Sequence, residues 1–137
     1  MLDPMRRNHV RTVLGLATTA LAGGIALTGA GAASAAIGGG CGGPGWKQTC
    51  ISAGGGQVSA QVTTNFASNN CTEQIIIWDY TTGGQALATS FPCRSGQYSY
   101  TYTLTNPTPG HDYKAEARFY WQPGSGYDYQ LSPDLWY

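Results

Sequence analysis

The sequence QVSAQVTTNF, residues 57–66, decides the fold class of this chain. Its even positions, from Val58 to Phe66, are small or apolar except for Thr64, and its odd positions carry only Gln, Ser, Thr and Asn. A period of two is typical of a β-strand with one face in the core and the other in solvent. Since no stretch after residue 36 keeps the period of an amphipathic helix, the sequence predicts an all-β protein.

Outward from this stretch, similar strand patterns recur between turn signals rich in Gly, Pro, Asn and Ser. Residues 75–80 begin with three isoleucines and are apolar on both faces, as expected for a central strand. The predicted strands span residues 46–52, 57–66, 75–80, 85–91, 98–104, 113–121 and 127–131. About seven short strands separated by turns indicate an antiparallel β-sandwich.

The stretch YTLTNPTPGHDYKAEA, residues 102–117, resembles the E–F corner of fibronectin type III and related immunoglobulin-like domains. The shared pattern is a leucine, a Pro-Gly turn and a tyrosine that opens the next strand. This resemblance implies an immunoglobulin-like sandwich in which the Tyr113 hydroxyl bonds to backbone upstream and Trp78 is the core tryptophan. It rests on about 16 residues of motif and implies nothing about function.

The first 36 residues have the pattern of a secretory signal peptide. Arginines near the N-terminus precede an uncharged apolar run at residues 13–27, and small residues follow at 32–36. The run is rich in Gly, Ala and Thr, whereas a membrane anchor needs ~20 strongly apolar residues. We therefore expect a bacterial protein that is secreted to the extracellular space and leaves the membrane after cleavage.

The predicted organisation is a signal peptide at 1–36, a Gly-rich N-terminal segment at 37–45 and a β-sandwich domain at 46–137. After residue 36 the chain carries four basic and six acidic residues and no basic cluster. A protein that binds nucleic acid by neutralising phosphates needs such a cluster, so we expect no nucleic-acid partner. Charged residues make up 10% of the chain and aromatic residues 12%, which argues against a disordered protein.

All four cysteines lie in the part of the chain predicted to be exported, and an even number there indicates two disulfides. Three pairings are conceivable, and hairpin geometry favours Cys41–Cys50 and Cys71–Cys93. A hairpin folded about residues 82–83 brings the second pair together, and a Gly-Pro-Gly turn lies between the first two cysteines. Spacings of 9, 21 and 22 do not match a metal site, so no metal is expected.

The residues that could carry catalysis are sparse. His111 is the one histidine after residue 36, and it lies in the Pro-Gly turn. Glu73 and Asp79 could share a strand face, but about 100 residues of sandwich rarely build the deep cleft that a glycosidase needs. Asp79 is expected instead to pair with Arg118. With no nucleophile elbow or phosphate loop, we predict a protein that is not an enzyme and needs no cofactor.

The aromatic side chains are the strongest remaining signal of a binding surface. Most fall on predicted inner faces: Tyr98, Tyr100, Tyr102, Tyr113, Phe119, Tyr127 and Tyr129. Tyr120 falls on a charged outer face, beside Ile75 and Ile77 if their strand shows its odd positions outward. The loops at 67–70 and 122–126 are expected to meet at one end of the sandwich. The predicted ligand-binding residues are Tyr120, Trp121, Ile75, Ile77, Trp136 and Tyr137.

These patterns lead to one main functional hypothesis and two alternatives. The main one is a non-enzymatic protein that binds an extracellular protein or polysaccharide. Residues 70–77, NCTEQIII, are similar to the second-cysteine strand of the actinobacterial proteinaceous α-amylase inhibitors, which implies an inhibitor of a secreted hydrolase. The consecutive Trp-Arg-Tyr triplet of those inhibitors is absent. The third hypothesis, suggested by high Gly and Tyr content and low charge, is a structural component of a cell or spore envelope.

Overall fold

A computed structural model describes residues 36–137, so the predicted signal peptide, apart from Ala36, lies outside the described residues. Ten strands and no helix occur within this range. The strands are β1 (Ile37–Gly38), β2 (Gly40–Gly42), β3 (Lys47–Gly54), β4 (Gln57–Phe66), β5 (Cys71–Asp79), β6 (Gly84–Pro92), β7 (Gly96–Leu104), β8 (Asp112–Trp121), β9 (Asp128–Leu131) and β10 (Leu135–Trp136). None of these residues forms a helix long and apolar enough to cross a membrane.

The strands form two antiparallel sheets, which confirms the predicted all-β fold. The larger sheet has the order β1-β10-β8-β5-β6, with β9 also paired to β8, and the smaller has the order β2-β3-β4-β7. All seven predicted strands are present, and three further short strands, β1, β2 and β10, extend the sheets. Two of these short strands precede residue 46, so the sheets begin earlier than the predicted domain boundary.

The core lies between the two sheets and follows the alternation seen in the sequence. The even positions of β4 are buried, and Val58, Ala60 and Val62 are 0% exposed. They join one apolar cluster with inward side chains of β5 and β8, including Ile75 and Phe119. Burial of such side chains is the main stabilising contribution to a sandwich of this size.

Two disulfides are present with the predicted pairing, Cys41–Cys50 and Cys71–Cys93. Cys41 and Cys50 are directly opposite each other on β2 and β3, within the smaller sheet. Cys71 opens β5, and Cys93 follows the end of β6, where the two residues also share a backbone hydrogen bond. Both of these cysteines are buried, so the second disulfide is part of the core.

The turn between β7 and β8 contains the predicted tyrosine corner. Tyr113, the second residue of β8, is 2% exposed. Its hydroxyl oxygen accepts a hydrogen bond of 2.8 Å from the backbone N–H of Thr108, five residues upstream. The hydroxyl therefore fixes the path of the Pro-rich turn against the first residues of β8.

Replacement of this tyrosine, Tyr113→Phe, is expected to lower the free energy of unfolding by about 1–2 kcal/mol, because the Thr108 N–H loses its partner while the ring stays packed. Urea unfolding followed by tryptophan fluorescence measures the change. Tyr129→Phe is the control, since Tyr129 is 54% exposed and removal of a solvent-accessible hydroxyl is expected to change stability little. Equal stability of the two variants would show that the corner hydrogen bond is not stabilising.

A glycine seam, residues Gly38–Gly43, carries the chain from the larger sheet to the smaller one. β1 pairs with β10 and β2 pairs with β3, and the Gly39 N–H between them donates to the Asp134 carbonyl at 2.7 Å. Gly39 has a φ of +81°, and a Cβ there would lie 2.8 Å from the Ile51 carbonyl oxygen. Glycine is therefore required at this crossing. The predicted Gly-rich segment is thus an integral part of both sheets along one flank of the sandwich.

Candidate functional site

The orientation of β5 corrects two predicted site residues. Ile75 and Ile77 are each 1% exposed and lie in the core, not beside Tyr120 on the outer face. Their direct partners on β8 are Ala117 and Ala115, which face the core. Directly opposite residues of an antiparallel pair point to the same face, so the register turns both isoleucines inward.

The same register places Trp78 on the outer face, which corrects its prediction as the core tryptophan. Trp78 lies outside the core cluster and opposite Lys114, whose side chain also points outward. Its indole Nε1–H donates to the Glu116 carboxylate at 2.6 Å. Ile76, also on this face, is still 0% exposed, so the outer side of the larger sheet has its own covered apolar centre.

The last hairpin adds two aromatic rings to this face. Tyr127 and Tyr129 were predicted to point inward, but they are 47% and 54% exposed. Tyr129 is directly opposite Arg118 on β8, which points outward, while the neighbouring Asp128 pairs with Lys47 of the smaller sheet. Because the Asp128 side chain points toward Lys47 of the smaller sheet, the alternation of side chains turns the tyrosines on either side of it to the outside.

We define the Arg118 face as the outward side chains of the larger sheet grouped around Arg118: Trp78, Glu116, Arg118, Tyr120, Tyr127 and Tyr129. Arg118 donates to the carboxylate of Glu116 from Nε at 2.7 Å and from Nη2 at 3.1 Å. Glu116 therefore accepts hydrogen bonds from both Arg118 and Trp78. These hydrogen bonds hold the Arg118 guanidinium in a fixed position, and the bond to Glu116 raises the pKa of Arg118 further above its usual value.

The aromatic rings of the Arg118 face surround this guanidinium. Its central carbon lies 4.6 Å from the ring centre of Tyr127 and 5.8 Å from that of Trp78. Tyr127 also contacts Tyr120 and Tyr129, with ring centres 5.3 and 6.3 Å apart. The Tyr120 hydroxyl donates to the Gln74 side chain at 3.2 Å. The face is therefore a set of rings whose positions are fixed by contacts within the protein itself.

A cavity of about 300 Å³ adjoins the Arg118 face at the turn between β5 and β6. It is lined by Trp78, Asp79, Tyr80, Gly83 and Glu116. Trp78 and Glu116 belong to both the cavity and the face. Tyr80 is 52% exposed, and the Lys114 ammonium lies 5.3 Å from its ring centre.

Asp79 does not form the predicted ion pair with Arg118. Its carboxylate lies 2.8 Å from the Nδ1 of His111 and accepts hydrogen bonds from the backbone N–H groups of Thr81 and Thr82. Arg118 pairs with Glu116 instead, because the Arg118 side chain points to the outer face. The Asp79 carboxylate is held by Thr81 and Thr82 in the turn after β5 and by His111 in the turn before β8. Burial would raise the pKa of Asp79, but the hydrogen bonds from His111 and Thr82 outweigh it and hold that pKa below its ordinary value.

Glu73 and Asp79 share a strand, but they do not form a catalytic pair. Six residues of strand separate them by about 20 Å, whereas the two carboxylates of a glycosidase lie within about 10 Å. Glu73 is 1% exposed, and its Oε1 has no hydrogen-bond partner among residues 36–137. Its direct partners on β6 and β8 are Phe91 and Phe119, so the carboxyl group is surrounded by apolar side chains.

The remaining predicted site residues do not form one surface. Tyr120 lies on the Arg118 face as predicted, but the Trp121 ring packs on Phe66 with 4.9 Å between ring centres. Trp136 is 53% exposed on β10, and Tyr137 is half-buried against the core. The six residues therefore fall in three different regions of the sandwich.

The two end loops meet as expected. Asn70 and Gln122 join them through two hydrogen bonds, with the Asn70 side chain donating to the Gln122 carbonyl at 2.6 Å.

Within residues 36–137, no three His, Cys, Asp or Glu side chains come together as metal ligands.

Sequence reasoning missed the central residues of the Arg118 face. The alternating charges on residues 114–118 marked the outer face of β8, and this signal alone could have located Arg118 and Glu116.

A comparison with protein-family models finds no match, and a comparison with curated proteins also finds none. The functional proposal therefore rests on the site itself.

Proposed function

We propose that this protein is a secreted, non-enzymatic β-sandwich that binds an extracellular partner, protein or glycan, through the Arg118 face. The observation that carries the proposal is the exposure of Tyr127 and Tyr129 beside a guanidinium held by Glu116. Tyr and Arg are the residue types on which binding energy concentrates in protein interfaces. Export is supported by the two disulfides and by the N-terminal sequence pattern.

The fixed geometry of the face favours tight contact with a partner. A long arginine side chain usually loses rotamer freedom on binding, and each immobilised side chain costs about 0.5–1.5 kcal/mol. Arg118 is already held by Glu116 in the free protein, so most of this cost is absent. Tyrosine rings add large contact areas with few rotatable bonds. Such a preorganised aromatic surface suits recognition more than bond-breaking chemistry.

The test is partner capture with matched variants. Immobilised wild-type protein is exposed to the extracellular medium and the cell-envelope fraction of the producing organism, and to insoluble polysaccharides. The double variant Tyr127→Ala/Tyr129→Ala should lose at least tenfold in affinity for whatever the wild type retains. Tyr98→Ala is the control, because Tyr98 is an exposed tyrosine of the smaller sheet. Retention that is equal in all three proteins would disprove a role for the Arg118 face.

The strand arrangement supports the finer proposal that the fold is immunoglobulin-like. The smaller sheet joins β3, β4 and β7, while β5, β6 and β8 lie in the larger one. This matches the division of the first, second and fifth strands from the third, fourth and sixth in fibronectin type III domains. The hydrogen bond between Tyr113 and Thr108 gives independent support.

One observation favours a second candidate function, inhibition of a secreted hydrolase. The consecutive Trp-Arg-Tyr triplet is absent, yet Trp78, Arg118 and Tyr127 from three different strands or loops lie in contact on the Arg118 face. Resemblance to the proteinaceous α-amylase inhibitors implies that such a group could occupy an amylase cleft. Titration of α-amylases with micromolar protein measures this directly. Unchanged starch hydrolysis at that concentration would eliminate the inhibitor function.

A further inference from the structure

The cavity beside the Arg118 face has the chemistry of a carbohydrate subsite, and we propose that it binds one six-membered sugar ring of a neutral glycan. This inference rests on the proposed binding function and names the ligand class for one part of that surface. The cavity combines the rings of Trp78 and Tyr80 with the carboxylate of Glu116, which lies on the same outer face of the larger sheet. Aromatic rings stack on the C–H face of a sugar, and carboxylates accept hydrogen bonds from its hydroxyls.

The size of the cavity suits a small ligand. Its volume of about 300 Å³ is at the lower end of the range for ligand pockets, enough for a single sugar ring. The side formed by Gly83 is open, since a Cβ built on this residue would have no other atom within 4 Å. A longer glycan could therefore extend past Gly83 into solvent. The ring of Tyr80, which is 52% exposed, is accessible from the same solvent.

The Glu116 carboxylate keeps capacity to accept a further hydrogen bond. A carboxylate has about four lone-pair positions. Glu116 uses three of them, one for Trp78 and two for Arg118. The group is thus held in place by the protein and can still accept one hydroxyl donor, which is the arrangement expected for recognition of a sugar hydroxyl.

The charges around the cavity argue for a neutral ligand. Glu116 is paired with Arg118, which lies over the Trp78 ring. Lys114, which lies over the Tyr80 ring, is paired with Asp134 at 2.8 Å. The carboxylate of Glu116 and the two cations over the rings are therefore each compensated within the described part of the chain. A cationic or anionic ligand would have to disrupt one of these pairs, whereas a neutral sugar would not.

The test is a titration of the isotope-labelled protein followed by nuclear magnetic resonance. The probes are neutral oligosaccharides from cellulose, chitin, starch and xylan, with an oligogalacturonate as the charged comparison. We expect saturable shifts of the Trp78 indole and Gly83 amide signals for at least one neutral series, with a millimolar dissociation constant for a single-ring contact. Tyr80→Ala should weaken binding at least tenfold, and Tyr98→Ala should leave it unchanged. The spectra of the variants show directly whether each one is folded.

The outcomes separate this inference from the proposed function. Binding that is lost in Tyr127→Ala/Tyr129→Ala but kept in Tyr80→Ala would support the Arg118 face and overturn the cavity as the sugar site. Stronger binding of the charged oligosaccharide would overturn the neutral class. If no oligosaccharide shifts these signals, the carbohydrate inference fails, while capture of a protein partner that depends on Tyr127 and Tyr129 would still uphold the proposed function.

Discussion

The Glu73→Gln variant is expected to be more stable than the wild type above pH 7 and about equally stable near pH 4. Burial between Phe91 and Phe119 raises the pKa of Glu73 from 4.5 to about 7. Between these two pH values the folded protein keeps a proton on Glu73 that the unfolded chain releases. The wild type therefore loses stability as pH rises through this window, and it does not regain that stability at higher pH.

A pKa difference of this size corresponds to about 3 kcal/mol. Glutamine has nearly the same shape and never ionises, so the variant escapes the loss above pH 7. Urea unfolding at a series of pH values from about 4 to about 8 measures the effect for both proteins. The control is Asp134→Asn, because the Asp134 side chain is 53% exposed and its pairing with Lys114 is worth little. A stability difference between wild type and Glu73→Gln that is the same at all pH values would contradict this account.

Removal of the Cys71–Cys93 disulfide is expected to cost more stability than removal of Cys41–Cys50. The two bridges close loops of 22 and 9 residues. In the chain-entropy model these loops correspond to about 3 and roughly 2.5 kcal/mol. Cys71 and Cys93 are also 7% and 3% exposed, so their replacement removes packing from the core. A total stability of about 5–15 kcal/mol makes either loss severe.

The measurement compares two double variants, Cys71→Ala/Cys93→Ala and Cys41→Ala/Cys50→Ala, by thermal and urea unfolding. Each variant keeps the other bridge, so each serves as the control for the general effect of losing a disulfide. The first variant should have the lower midpoint in both experiments. The reverse order would show that the Cys41–Cys50 disulfide contributes more to the stability of the sandwich than the Cys71–Cys93 disulfide.

The fold could be predicted from sequence because two of its signals are local. The alternation over residues 57–66 indicates which side of β4 is buried. The motif around Tyr113 specifies a turn whose hydrogen bond joins residues only five positions apart in the sequence. Disulfide pairing followed from the same logic, since each pair is joined by a hairpin or short turn. Local geometry was therefore sufficient for the strands, the corner and the bridges.

The candidate site could not be predicted because it depends on register between strands. β5 carries three consecutive isoleucines, so its sequence has no alternation to show which positions face outward. β9 has only four residues, and its orientation is set by Asp128 reaching Lys47 of the other sheet. Once β8 fixes the register of both strands, Trp78 and Tyr129 turn outward together. That information is long-range and is absent from any single segment.

The crossing of the glycine seam makes the two flanks of the sandwich unequal. On the seam flank, main chain links the sheets directly. On the opposite flank, β6 and β7 are the terminal strands of their sheets; residues 93–95 connect their ends, and along their length side chains such as Phe91 and Tyr100 make contact, with ring centres 4.0 Å apart. Terminal strands offer free amide and carbonyl groups to a foreign strand. β6 and β7 have nine residues each, whereas the terminal strands of the seam flank, β1 and β2, have two and three. We therefore expect aggregation of a weakened variant to begin at β6 or β7, and a lysine introduced on either strand to oppose it.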